Sequence, residues 1–280
     1  MPQYPLPVVM VSSLTKEGAG ITLDALNSGA IDFVLKPSVN IKIGLKEMMK
    51  ELIEKIKIAS TVDVSNWKQQ DYALPGEKKK ASNVLQGTTD KVIAIGASTG
   101  GTVALTKMIN SFPPDIPGTV IVQHMPPVFT RMFAENLDKS SKVDVKEAEN
   151  GDRIVTGRVL IAPGDSHMRV FRSGGHYLVE CKPGKKVNGH CPSVDVLFDS
   201  ISKNVGNNAL GVILTGMGRD GADGMLEMKR TGARTLAQDE ATSVVFGMPA
   251  EAFKNGGAER LVPIHQMTHT ILEVLKEMNR

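Results

Sequence analysis

Gly96-Ala97-Ser98-Thr99-Gly100-Gly101 sets a serine among small residues, directly after the apolar run VIAIGA and before a helix-like pattern. Five of these residues read G-x-S-x-G, the spacing of a nucleophile elbow, in which a tight strand-to-helix turn holds the hydroxyl out at the edge of a sheet. Glycines flank such a serine because a side chain at either position would crowd the turn. The helix N-terminus behind it offers unpaired N–H groups and a positive dipole end, suited to the oxyanion formed when a carbonyl is attacked, with the Thr99 N–H as the first donor. The same loop also fits a phosphate-cradling turn or a plain tight turn, although it lacks the G-x-G-x-x-G spacing and the G-K-[ST] ending of nucleotide loops.

A serine becomes a nucleophile only when a base takes its proton, so a histidine and a carboxylate should end other strands on the same rim. His124 closes the strand-like run TVIVQHM, and Asp220 follows GVILTGMG within Gly218-Arg219-Asp220-Gly221. Ends of this kind meet on one edge of a parallel sheet. Asp220 could also cap the helix that follows it, as could Asp223, and capping does not exclude orienting a histidine. The chain order Ser98, His124, Asp220 differs from that of α/β-hydrolases and of both well-known serine-protease folds, but a triad is defined by geometry.

The other histidines are expected to have structural or surface roles: His167 and His176 in or beside a hairpin, His190 in a loop, His265 and His269 near the C-terminal helix. His176, Cys181, His190 and Cys191 do not read as a zinc site, because the adjacent pair His190-Cys191 is ill placed to give two tetrahedral ligands and no CxxC exists. No metal is expected.

These residues need a sheet to hold them. Strand-like runs at 92–97, 119–125, 159–164, 211–218 and 233–239 alternate with helical patterns near 100–111, 127–138, 193–204 and 220–231, the rhythm of an α/β fold with a doubly wound, mostly parallel sheet. MRVFRSGGHYLVEC (168–181) interrupts it, and two alternating runs around Ser-Gly-Gly predict an antiparallel hairpin added to that sheet. Upstream, PVVMVSS and AIDFVLKPS read as two buried parallel strands, with a helix over 41–59 whose Leu45, Met48, Leu52 and Ile56 form an apolar stripe. Between these regions, 61–89 carries no periodicity, a Pro-Gly pair and a KKK run, which predicts a linker. The expected organisation is therefore a partial domain over 1–60, a linker over 61–89 and a complete domain over 90–280.

Composition narrows the class. No stretch of the 280 residues approaches the roughly 18 consecutive apolar residues of a membrane span, and the opening MPQYPLPVVM lacks the basic start and apolar run of a signal peptide. Thirty-three basic against 30 acidic residues is too even a balance to argue for a nucleic-acid partner. Two cysteines exclude a disulfide framework, and 27 glycines beside 8 Phe, 3 Tyr and 1 Trp favour an α/β chain rich in tight turns.

In order and spacing, GASTGG, IVQHMPP, IAPGDSHM, CPSVDVLFDS and ILTGMGRDGADG resemble the chemotaxis protein-glutamate methylesterase family over residues 90–265. The resemblance implies Ser98 as nucleophile, His124 as general base and then acid, Asp220 as the residue that orients His124, and Thr99 with Met217 as backbone donors to the oxyanion. It implies hydrolysis of γ-glutamyl methyl esters on the cytoplasmic helices of chemoreceptors, deamidation of certain receptor glutamines, no cofactor and a cytoplasmic location. The first 60 residues resemble the second half of the family's phosphorylatable receiver domain, a flavodoxin-like fold, through VMVSSLT and DFVLKPS. There Ser12 would sense a phosphoryl group and Lys36 would be its cationic partner. The phosphoacceptor would lie upstream of Met1, neither Asp24 nor Asp32 taking its place, which reads as a late start or a fragment. The chain as given is thus expected to ignore phosphodonors, and a histidine kinase would be a partner only of a full-length receiver. A non-catalytic nucleotide-binding module using GASTGG is the alternative from another class, and an esterase with a different substrate is a third.

Overall fold

The computed structural model describes residues 6–37, 41–62 and 90–279. The chain forms two compact units, Met1–Ala73 and Leu74–Arg280. The expected linker, apart from Thr61 and Val62, lies outside the described residues.

In the smaller unit β1 (Val9–Ser12), α1 (Lys16–Asn27), β2 (Asp32–Leu35) and α2 (Ile41–Ala59) follow the predicted order. The two strands pair in parallel, with Val9 opposite Asp32 and Ser12 opposite Leu35. Thr15 caps α1 by accepting from Gly18 N at 3.0 Å. On α2, Lys55 Nζ donates to Asp32 Oδ1 at 3.1 Å and to the Phe33 carbonyl at 2.6 Å, fastening the helix to β2. Leu45 and Ile56 of its apolar stripe remain about half exposed.

The larger unit runs β3 (Val92–Ala97), α3 (Gly101–Asn110), β4 (Gly118–Gln123), α4 (Phe129–Ser140), β5 (Asp144–Glu147), β6 (Arg158–Ile161), β7 (Ser166–Ser173), β8 (His176–Pro183), α5 (Val194–Asn204), β9 (Ala209–Ile213), α6 (Ala222–Arg230), β10 (Arg234–Gln238), α7 (Met248–Lys254), β11 (Arg260–Val262) and α8 (Ile264–Glu277). Its sheet has the order β11-β10-β9-β3-β4-β6-β5, and all its pairings are parallel. Every residue of β3, β4 and β9 is buried, which is why these strands read as continuous apolar runs without alternation. The winding reverses at β3, and in open α/β sheets a crevice forms beyond the carboxyl ends of the strands at such a point.

On one face of the sheet Val92, Ala94, Val120 and Val122 pack with Val194, Leu197, Phe198 and Ile201 of α5 and with Met168, Val170 and Val179 of the hairpin. The neighbouring residues Ile93, Ile95 and Ile121 point to the opposite face and are equally buried. The hairpin turns at Gly174-Gly175 as predicted, but β7 and β8 form a two-stranded sheet of their own and do not extend the parallel one.

Three elements had no clear signal. β5 and β11, four and three residues long, are the two edges of the sheet, where short, polar strands blunt unpaired backbone. α7 has only seven residues, too few to show a helical period.

At Gly96 α5 lies close against the central strand: a Cβ there would collide with Val194 Cγ1 and fall 2.9 Å from its Cγ2. Gly96→Ala should therefore lower the free energy of unfolding by about 1–3 kcal/mol through overpacking. Urea denaturation measures this, and an unchanged midpoint would mean that the strand and helix do not meet so closely.

Candidate active site

The last paired residues of β3 and β4 are Ala97 and Gln123, so Ser98 and His124 are the first residues beyond two adjacent strand ends. The His124 amide donates to the Ala97 carbonyl at 3.0 Å, which keeps them in step. The serine turn is fixed from several sides. Ser98 N donates to the Thr215 carbonyl at 3.0 Å and Gly101 N to the Ser98 carbonyl at 2.7 Å, while Gln123 Nε2 donates to the same carbonyl at 3.0 Å. Thr215 Oγ1 donates to the Thr99 carbonyl at 2.9 Å, stitching the turn to the end of β9. Gly100 has φ +78°, a left-handed conformation that a side chain would strain. A Cβ on Gly216 would lie 2.8 Å from Ser98 Cβ, so the backbone leading into Met217 runs directly against the serine.

Asp220 reaches the same place from beyond β9. Its Oδ2 accepts from His124 Nε2 at 2.8 Å and from Val194 N at 2.7 Å. Its Oδ1 accepts from Ser193 Oγ at 2.8 Å, Asn188 Nδ2 at 2.9 Å and Asp195 N at 3.3 Å. The side chains of His124 and Asp220 are only 6% and 1% exposed, so solvent screens little of this pairing. Val194 and Asp195 open α5, whose N-cap is Ser193, and the carboxylate thus sits at a helix N-terminus. Burial pushes the Asp220 carboxyl up, but the hydrogen bond and charge of His124, with Asn188 and the Val194 N–H, outweigh it and hold the group well below the usual carboxylate range.

An ionised carboxylate only accepts, so His124 Nε2 carries the hydrogen, and in the neutral imidazole Nδ1 then holds the lone pair. That Nδ1 is buried and has no hydrogen-bond partner among the described residues. Ser98, His124 and Asp220, read from the sequence at three strand ends, are brought to one rim by three neighbouring strands.

Sequence reasoning missed the segment that covers them. The ring of His190 lies flat on that of His124, with centroids 3.7 Å apart and planes 8° from parallel. Asn188 bridges Asp220 and Asp195, its second bond being 2.6 Å long. Buried His167 ties the segment down, accepting from Ser193 N at 3.2 Å through Nδ1 and contacting the Lys185 carbonyl at 2.8 Å through Nε2. The one signal was Asn188-Gly189, a turn dipeptide. His176 contacts Arg153, and His265 and His269 are exposed on α8, in line with the roles expected of them. Both cysteines are free thiols, and burial, then the charges of Asp152, Glu147 and Glu180, push Cys181 up to about 12, so it is no activated nucleophile.

In the smaller unit, Ser12 Oγ donates to the Gly18 carbonyl at 3.1 Å and accepts from Thr22 Oγ1 at 2.7 Å. Lys36 N donates to the Ser12 carbonyl at 2.7 Å, so the two residues end adjacent strands.

A depressed native pKa contributes stability that is complete above the unfolded value of about 3.9 and is lost as the pH falls toward the native one. Asp220→Asn turns an acceptor into a donor that faces other donors, and should lower the free energy of unfolding at neutral pH by about 1–3 kcal/mol. The difference from the parent chain should hold from about pH 5 to 8 and close below about pH 4. Urea unfolding across this range tests it; closure near neutrality would mean that the carboxylate is not held as drawn.

The CheB methylesterase family model matches residues 93–271. A protein from Syntrophotalea carbinolica, named protein-glutamate methylesterase/protein-glutamine glutaminase, is 58% identical over 278 residues, which cover 99% of this chain and 79% of that protein. One of the same name from Sulfurimonas denitrificans is 52% identical over 280 residues, covering 99% and 80%. Among solved structures, the catalytic domain of the Thermotoga maritima CheB methylesterase aligns with a TM-score of 0.64 at 38% identity, over 66% of this chain and 98% of that one. With the matched segment holding both the sheet and its serine turn, this chain belongs to the CheB methylesterase family.

Proposed function

We propose that the larger unit hydrolyses γ-methyl esters of glutamate, and deamidates glutamine, on the cytoplasmic helices of chemoreceptors. The observation that carries this reading is the buried His124, bonded to Asp220 through Nε2 and left with a lone pair on Nδ1, one strand away from the Ser98 turn.

Ser98 Oγ attacks the ester carbonyl while Nδ1 of His124 takes its proton. The bond from the carbonyl carbon to the methoxy oxygen breaks, and methanol leaves with that proton. Water then attacks the acyl-serine and gives one proton to His124, which passes it to Ser98 Oγ as the bond from the acyl carbon to Oγ breaks; the glutamic acid released loses its remaining proton to solvent. Backbone N–H groups of Thr99 and Met217 steady the oxyanion at both steps. Asp220, ionised throughout, favours the imidazolium that forms between them. A glutamine side chain follows the same course with ammonia leaving, its poorer leaving group relying more on proton donation by His124. No cofactor enters either sequence. A nucleotide-loop reading of GASTGG gives no account of the His124–Asp220 pair.

The substrate's place on receptor helices puts the enzyme in the cytoplasm, and no helix of the described residues is long and apolar enough to cross a membrane. Residues 1–60 are read as the second half of a receiver domain with Ser12 and Lys36 as parts of its switch, 61–89 as linker and 90–280 as the catalytic domain.

Ser98→Ala should cut methanol release from methylated receptor membranes by about four orders of magnitude or more, the scale seen when a triad member is removed. Ammonia release from unmodified receptor should fall with it. Undiminished release of either product would remove Ser98 from that reaction.

A further inference from the structure

We infer that His190 is a positioning residue for this hydrolysis, holding the plane of the His124 ring so that Nδ1 stays aimed at the serine. The inference rests on the reading of His124 as the base.

The bond to Asp220 fixes His124 at Nε2, but the working atom is Nδ1. In an imidazole, Nδ1 lies farther than Nε2 from the Cβ–Cγ axis. A given rotation about that axis therefore swings Nδ1 more, and a single bond at Nε2 restrains the swing poorly. Misplacement by an ångström at a reacting atom can cost about 100-fold in rate. A flat ring laid against the imidazole opposes the rotation directly, and at 3.7 Å and 8° the His190 ring is in van der Waals contact over its whole face.

The segment that carries His190 is built as a rigid holder. Val187 N donates to the His190 carbonyl and His190 N to the Val187 carbonyl, each at 2.9 Å. Between them Asn188 and Gly189 have φ +52° and +85°, the two left-handed residues of a type I′ turn, for which Asn-Gly is the favoured pair. One side of the turn thus sends Asn188 to Asp220 and the other lays His190 on His124. His167 anchors both ends of the segment from beneath, through the Lys185 carbonyl and Ser193 N. Four residues therefore bring a ring and an amide to the two partners of one hydrogen bond.

The test compares the full chain with His190→Ala and His190→Phe on methylated receptor membranes, reading kcat and KM separately. His190→Ala should lower kcat by about 10- to 100-fold with KM within about twofold. His190→Phe, which restores a flat ring, should return kcat to within about fivefold of the parent. The downfield proton resonance of Nε2–H in the Asp220 bond should broaden in His190→Ala and sharpen again in His190→Phe, a signature that loss of fold would not give. Thermal unfolding of each variant separates misfolding from misalignment, and if His190→Ala does not fold, the Phe variant and the resonance carry the test. An alanine variant with parental kcat, or a folded phenylalanine variant as slow as the alanine one, would overturn the inference. Absence of methanol release by the parent chain would instead overturn the functional reading itself.

Discussion

The site depends on one buried carboxylate. Asp220 is withdrawn from water yet ionised, and this is tolerable because five donors surround it: a histidine, a hydroxyl, a side-chain amide and two backbone N–H groups at the start of α5. These donors come from three separate stretches of chain. His124 directly follows β4, the Asn188 turn follows β8, and Ser193 caps α5. No one of them can shift without leaving a buried charge undersatisfied, so the carboxylate works as the common origin from which the other parts are measured.

Close packing sets the remaining distances. Gly96 lets α5 lie near the central strand, and Gly216 lets the end of β9 pass against Ser98. Asp220 can meet the start of α5 because that helix is pressed onto the sheet, and the serine turn stays in register because Thr215 is bonded to it through backbone and side chain alike. Buried Gln123 adds a further bond to the Ser98 carbonyl. The Ser98 turn is thus supported from both neighbouring strands of β3, as its place in the middle of the sheet requires.

What could be read from the sequence followed from how each part is determined. Central strands show as continuous apolar runs because both their faces are covered, and Ser98, His124 and Asp220 could be placed because strand ends are legible and parallel strands share a rim. The edge strands β5 and β11 were not legible, being short and half solvated. The 184–193 segment was legible only as a loop. Asn188-Gly189 announces a turn, but where a turn points depends on His167 and on the start of α5, contacts remote in sequence. His190 accordingly looked like a loop histidine, and only the fold shows which ring it meets. Which nitrogen of His124 faces Asp220 is equally beyond sequence, since it depends on a side-chain torsion set by the completed site.

The carboxylate's double duty has a cellular consequence. If Ser98 acts as the proposed nucleophile, it serves chemistry alone, so a chain altered there would keep its fold and persist as a silent copy able to occupy receptors. Asp220 holds the start of α5 as well as a histidine, so a chain altered there would be depleted by quality control along with its activity. Two lesions that look alike in a reaction mixture would therefore behave differently in a cell, one as a competitor of the intact enzyme and the other as a simple absence.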